Sequence, residues 1–210
     1  MQLEHDILSL KASVDFAFRS FQIAVVQANE CWGTFQQESA LGYHRISKET
    51  YHAVTKAAMT VEAAKIAFVL SCAALVEAIA NLALSMKMAK PQFDAIDSCS
   101  VQDKWVEILP LVIVDFKIDR DGQVFQSIRE LSYDRNAITH MKPKIVSSES
   151  GELLHKGQFA KHSKGGYEDV EKKLTEWRDL PPRLIALVSA ADLTLGQQLD
   201  VFCGYWQPYA

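Results

Sequence analysis

Apolar residues recur at helical spacing along most of this 210-residue chain. Leu10, Val14, Ala17, Phe21, Ala24 and Val25 share one helical face, which predicts a first helix over Leu3–Trp32. Gly33 and Gly42 bracket a predicted loop. A second helix, Ser47–Lys87, is apolar nearly all round at its centre, as the middle of a bundle requires, with room for a kink. Pro91 follows its end. Ser100-x-x-Asp103 resembles a capping box and opens a third helix reaching Leu109 or Val114, which Pro110 is expected to break or bend. Asp119-Arg120-Asp121-Gly122 reads as a turn with a candidate N-cap before a fourth helix, Gln123–Met141. Beyond Pro143 the pattern changes. Lys144–Ser147 and Glu152–Lys156 flank Glu149-Ser150-Gly151, the pattern of a short hairpin. A fifth helix, Tyr167–Asp179, ends at Pro181-Pro182, and a sixth spans Arg183–Cys203.

Helices joined by short connections make an all-α helical bundle the expected fold. One domain, 1–210, accommodates them, with a core at 47–143, a hairpin or loop insertion at 144–166 and C-terminal helices at 167–206. Apolar residues make up 49% of the chain and charged residues 23%, while glycine and proline are sparse, a balance that favours helices over disorder.

The net charge of −4 excludes bulk attraction to polyanions. The charge is unevenly spread, however. From Lys142 to Lys164 five lysines meet two acids, so a basic segment follows the fourth helix. It reads either as a solvated loop or as a phosphate-attracting one. Cys31, Cys72, Cys99 and Cys203 lie far apart with no C-x-x-C pair, as expected of incidental thiols in a reducing compartment. The opening residues have no basic n-region or apolar h-region, so no secretory signal is expected. Ile66–Leu84 is very apolar but carries Ser71, Glu77 and Asn81, which points to a core helix and not a membrane span.

The candidate chemistry sits late in the fourth helix, in Arg135-Asn136-Ala137-Ile138-Thr139-His140. At about 100° per residue, Val124, Leu131 and Ile138 fall on the side of Ile128, and Arg135 and Thr139 fall within the same stripe. A helix that buries this stripe is expected to bury Arg135 too, and a buried guanidinium requires an anionic partner. Asn136 and His140 are i and i+4, one turn apart. A forked cation, an amide and an imidazole together suit chemistry at a phosphodiester.

Arg-Asn-x-x-x-His in this setting resembles the R-x4–6-H motif of the HEPN superfamily (higher eukaryotes and prokaryotes nucleotide-binding domains). Ser71-Cys72-Ala73-Ala74-Leu75-Val76-Glu77-Ala78-Ile79-Ala80-Asn81 resembles the S-x5-E-x3-N segment of the preceding helix in many members. The resemblance covers roughly residues 60–143. It implies a helical bundle that homodimerises in the cytoplasm and cleaves RNA without metal or cofactor, in a toxin–antitoxin or phage-defence setting. Carried over, Arg135 contacts the scissile phosphate, His140 acts as general base or acid, and Asn136 orients one or the other. Glu77 is the expected resting partner of Arg135, supported by Asn81 and Thr139, while Lys142 and Lys144 rim the RNA path.

Other readings stand beside this one. The family also contains non-catalytic RNA or nucleotide binders and partners of a nucleotidyltransferase. Arg135–Glu77 also reads as a structural ion pair in a helical scaffold or dimer interface. His140 also reads as a helix-end residue binding a carbonyl. Histidines 44, 52, 155 and 162 lack companions at zinc-ligand spacing.

Overall fold

The structure, a computed structural model, describes residues 2–42, 45–140 and 167–203. Among these residues every regular element is helical. The expected hairpin at 144–166, with Lys142 and Lys144, lies outside the described residues.

The first helix, α1 (Gln2–Ala40), continues through Gly33 instead of stopping there. A lone helical glycine costs only about 1 kcal/mol relative to alanine, and good helix formers on both sides outweigh it. The real break comes at Gly42, whose φ of 117° no other residue adopts comfortably. Glu38 ties the two sides of this connection together. Its carboxylate accepts from the Ser47 N–H and the Thr50 hydroxyl, both at 2.8 Å. The Ser47 backbone bond first, and the Thr50 bond next, hold the Glu38 carboxyl below its usual range. Ser47 in turn caps α2 (Lys48–Lys87), accepting from the Thr50 N–H at 3.0 Å.

Helix α2 is the pillar of the molecule and runs without interruption. Phe68, Leu75, Val76, Ile79 and Leu84 are all buried on it. Helix α1 packs along it, and the later helices close round its second half. By length and composition α2 could cross a membrane, but 56% of its most apolar window is buried inside the fold, as a core helix requires.

A short helix, α3 (Lys90–Ile96), was not expected; Pro91 sits in its first turn, where no N–H is needed. The third expected helix is a composite. Helix α4 (Val101–Asp103) begins at Ser100, whose hydroxyl accepts from the Asp103 N–H at 3.1 Å, as the sequence predicts. A π-turn, Lys104–Ile108, follows, and then α5 (Leu109–Val112). Pro110 falls in the first turn of α5 and does not end the run, because the wider turn before it absorbs the missing donor. The π-turn delivers Lys104 and Trp105, both with no exposed surface, against α2. The Trp105 indole donates to the Val76 carbonyl at 3.1 Å.

Helix α6 (Gln123–Thr139) starts at Gly122, which offers no side-chain cap; Asp119 instead closes the preceding turn by accepting from the Asp121 N–H at 3.0 Å. Lys173, on α7 (Glu168–Arg178), reaches back to Asp134 at 3.3 Å and Glu130 at 3.6 Å. The Pro181-Pro182 pair lies in the first turn of α8 (Leu180–Ala191), so it starts that helix as well as separating it from α7. The sixth expected helix is two. It turns at Asp192, whose side chain caps α9 (Leu193–Phe202) by accepting from the Leu195 N–H at 3.0 Å. The crossing of α8 and α9 depends on Gly196, where a Cβ would come within 2.0 Å of Ser189 Oγ and 2.4 Å of its Cα.

Candidate functional site

Between the second half of α2, the α3–α4 connection and the last turns of α6 lies a cleft of about 500 Å3. Its floor is apolar, with Val76 of α2 and Ile128 and Leu131 of α6. Its walls are polar. Ser132, Arg135 and Asn136 line one side, and Glu77, Asp97, Ser98, Ser100 and Gln102 line the other.

Arg135 lies in the stripe of Ile128 and Leu131, as its spacing predicts, and lines the same cleft. It is nevertheless exposed. The expectation of burial fails because Arg135, in the last turns of α6, borders this cleft and does not pack into the core. The guanidinium keeps its water, so it needs no buried counter-ion. Its Nη1 donates to Asn136 Oδ1 at 3.0 Å, which sets the arginine and the amide side by side on the surface.

The expected Glu77–Arg135 pair is not formed. The Glu77 Oε1 accepts from Lys104 Nζ at 3.2 Å, and the same ammonium donates to the Asp97 carbonyl at 2.8 Å. Lys104 has no exposed surface, whereas the Glu77 side chain is 33% exposed. A buried ammonium must find acceptors, so it takes the nearest carboxylate, and an exposed guanidinium cannot compete.

The remaining candidates separate. The Thr139 hydroxyl donates back to the carbonyls of Arg135 and Asn136, at 3.1 and 3.3 Å, and so serves the helix end. His140 is the exposed C-cap residue, its backbone N–H donating to the Asn136 carbonyl at 2.9 Å. It follows Arg135 and Asn136 at the end of the helix, and the cleft lining does not include it. Asn81 lies one turn beyond Glu77, also outside the lining, and among the described residues its buried Oδ1 has no hydrogen-bond partner. Arg135, Asn136 and Glu77 therefore share one cavity, and Asn81, Thr139 and His140 do not border it.

The sequence reading missed Lys104, Asp97 and the polar side chains of the α3–α4 connection. A signal for Lys104 existed: it interrupts the apolar stripe of Val101, Trp105, Ile108 and Val112 just as Arg135 interrupts that of α6. Of the four thiols, Cys72 and Cys203 are buried, while Cys31 and Cys99 are partly exposed; Cys99 borders the cleft. Burial raises the Cys72 thiol well above its usual range and pushes that of Cys203 up to about 12. No group of three or more His, Cys, Asp or Glu among the described residues is placed to hold a metal ion. Comparison with protein-family models, curated proteins and solved structures returned no match.

Proposed function

We propose that this chain is a metal-independent endoribonuclease of the HEPN type, acting as a cytoplasmic homodimer in toxin–antitoxin or phage defence. The observation that carries the reading is Arg135 hydrogen-bonded to Asn136, exposed at the edge of a cleft with an apolar floor. An exposed guanidinium held by a neighbouring amide is oriented and still free to take a phosphate. In the proposed reaction Arg135 meets the scissile phosphate and stabilises its added charge. His140 accepts the proton of the ribose 2′-hydroxyl, the 2′-oxygen bonds to phosphorus, and the bond to the 5′-oxygen breaks. The 5′-oxygen takes up a proton and leaves, giving a 2′,3′-cyclic phosphate and a 5′-hydroxyl.

His140 stands outside the cleft lining, and this favours a second reading: a non-catalytic RNA- or nucleotide-binding module, partnered by an antitoxin or a nucleotidyltransferase. Chemical identification of the RNA ends separates the two. The nuclease yields cyclic phosphate ends in the presence of EDTA, and His140→Ala abolishes them while RNA binding remains. RNA that is bound and returned intact selects the module.

A further inference from the structure

The two walls of the cleft differ in what they offer a ligand. The α6 wall carries a cation, Arg135, and an amide, Asn136. The opposite wall carries two carboxylates, Glu77 and Asp97. A bare phosphate or polyphosphate suits the first wall and is repelled by the second. A ligand that fits both is anionic at one end and rich in N–H donors at the other.

Glu77 is prepared for such a contact. Its charge is offset by Lys104, which is fully buried at 3.2 Å. The pair is neutral as a unit, which leaves Asp97 as the wall's uncompensated charge among the described residues. Lys104 is, among the described residues, the carboxylate's one hydrogen-bond partner and takes one lone pair of Oε1, so Oε2 and the second lone pair of Oε1 remain to accept from a ligand in the cleft.

We infer that this cleft is a base-reading subsite for guanine, with the Glu77 carboxylate accepting from the ring N1–H and exocyclic N2–H2 groups while Arg135 holds the adjoining phosphate. The inference rests on the proposed assignment of Arg135 to a nucleic-acid phosphate. Guanine is selected because it alone of the four bases presents two adjacent donors that one carboxylate can accept together. Adenine and cytosine place a ring-nitrogen acceptor beside their amino group, which would face the carboxylate lone pairs. Uracil offers one N–H between two carbonyls.

The test uses the intact protein with guanosine, inosine and adenosine 3′-monophosphates, by titration calorimetry. Inosine differs from guanosine only in lacking the N2 amino group, so the comparison needs no variant. The guanosine nucleotide should bind roughly ten-fold or more tightly than either other, the scale of one hydrogen bond to a charged group. Glu77→Gln should reduce that preference to about three-fold or less, because one acceptor oxygen becomes an amide donor. Location is read from Cys99, which borders the cleft, with Cys31 as internal control. Bound guanosine nucleotide should slow iodoacetamide alkylation of Cys99 and leave Cys31 unaffected. Equal binding of the guanosine and inosine nucleotides overturns the inference, as does tight binding that leaves Cys99 unprotected or no binding at all. RNA cleavage without preference for guanosine overturns the guanine subsite and leaves the nuclease standing. Guanosine-selective binding without cleavage does the reverse.

Discussion

Lys104 has no exposed surface and donates to both a carboxylate and a carbonyl, whereas Arg135 is exposed and donates to the amide of its neighbour. Both interrupt apolar stripes, and both belong to the surroundings of Glu77. The difference lies in the backbone that carries them. Lys104 sits on a π-turn clamped to α2 by Trp105, so it is enclosed and must be neutralised. Arg135 sits in the last turns of α6, at the border of the cleft. One cation is held for structure, and the other remains available for a ligand.

That contrast can be broken by removing each partner in turn. Glu77→Ala strips Lys104 of its one carboxylate among the described residues and should cost about 3 kcal/mol, read by urea unfolding, because a buried charge is left unpaired. Lys104→Met should cost less, about 1 kcal/mol, since the methionine fills the space and Glu77 can still turn to water. If Lys104→Met proves the more damaging, the ammonium is not the group that needs the pair.

The thiols sharpen the same distinction between enclosed and open polar groups. The Cys203 thiol is pushed up from its usual 9.0 to about 12, chiefly by burial, with Asp200 adding to the effect and Lys11 opposing it. A raised value means the folded state keeps its proton where the unfolded chain loses it. The associated stability is fully present below pH 9 and is lost between pH 9 and about 12. Cys72 and Tyr167, both raised by burial, act in the same direction. Thermal midpoints should therefore fall across that window, and Cys203→Ala should reduce the slope. The smallest stability effect is expected at the open site: Arg135→Ala should change unfolding free energy by less than about 0.5 kcal/mol, as for other exposed substitutions.

Much of the helical plan was legible because apolar periodicity reports which side of a helix faces inward. It placed α2 and α6, the Ser100 cap and the direction of Arg135. It did not reveal whether that inward side meets core or cavity, because the α3–α4 connection opposite Arg135 sets that, and no local pattern on α6 records it. Gly33 misled because the helix formers around it outweighed its usual effect and α1 passes through it, and the break at Asp192 that divides the last expected helix carries no glycine or proline to announce it. The pairing of Glu77 was missed for a related reason. Arg135 was already expected to occupy the carboxylate, and nothing local to α2 indicates that Lys104 arrives there.

The division of labour between the two cations is tested most directly by incubating RNA with wild-type protein and with folded Arg135→Ala in EDTA, and measuring the initial cleavage rate. The wild type should cleave, and the variant, with its unfolding midpoint unchanged, should lose at least about 100-fold, the scale of one transition-state charge contact. Cleavage at the same rate by both proteins would contradict the assignment of Arg135 to the scissile phosphate.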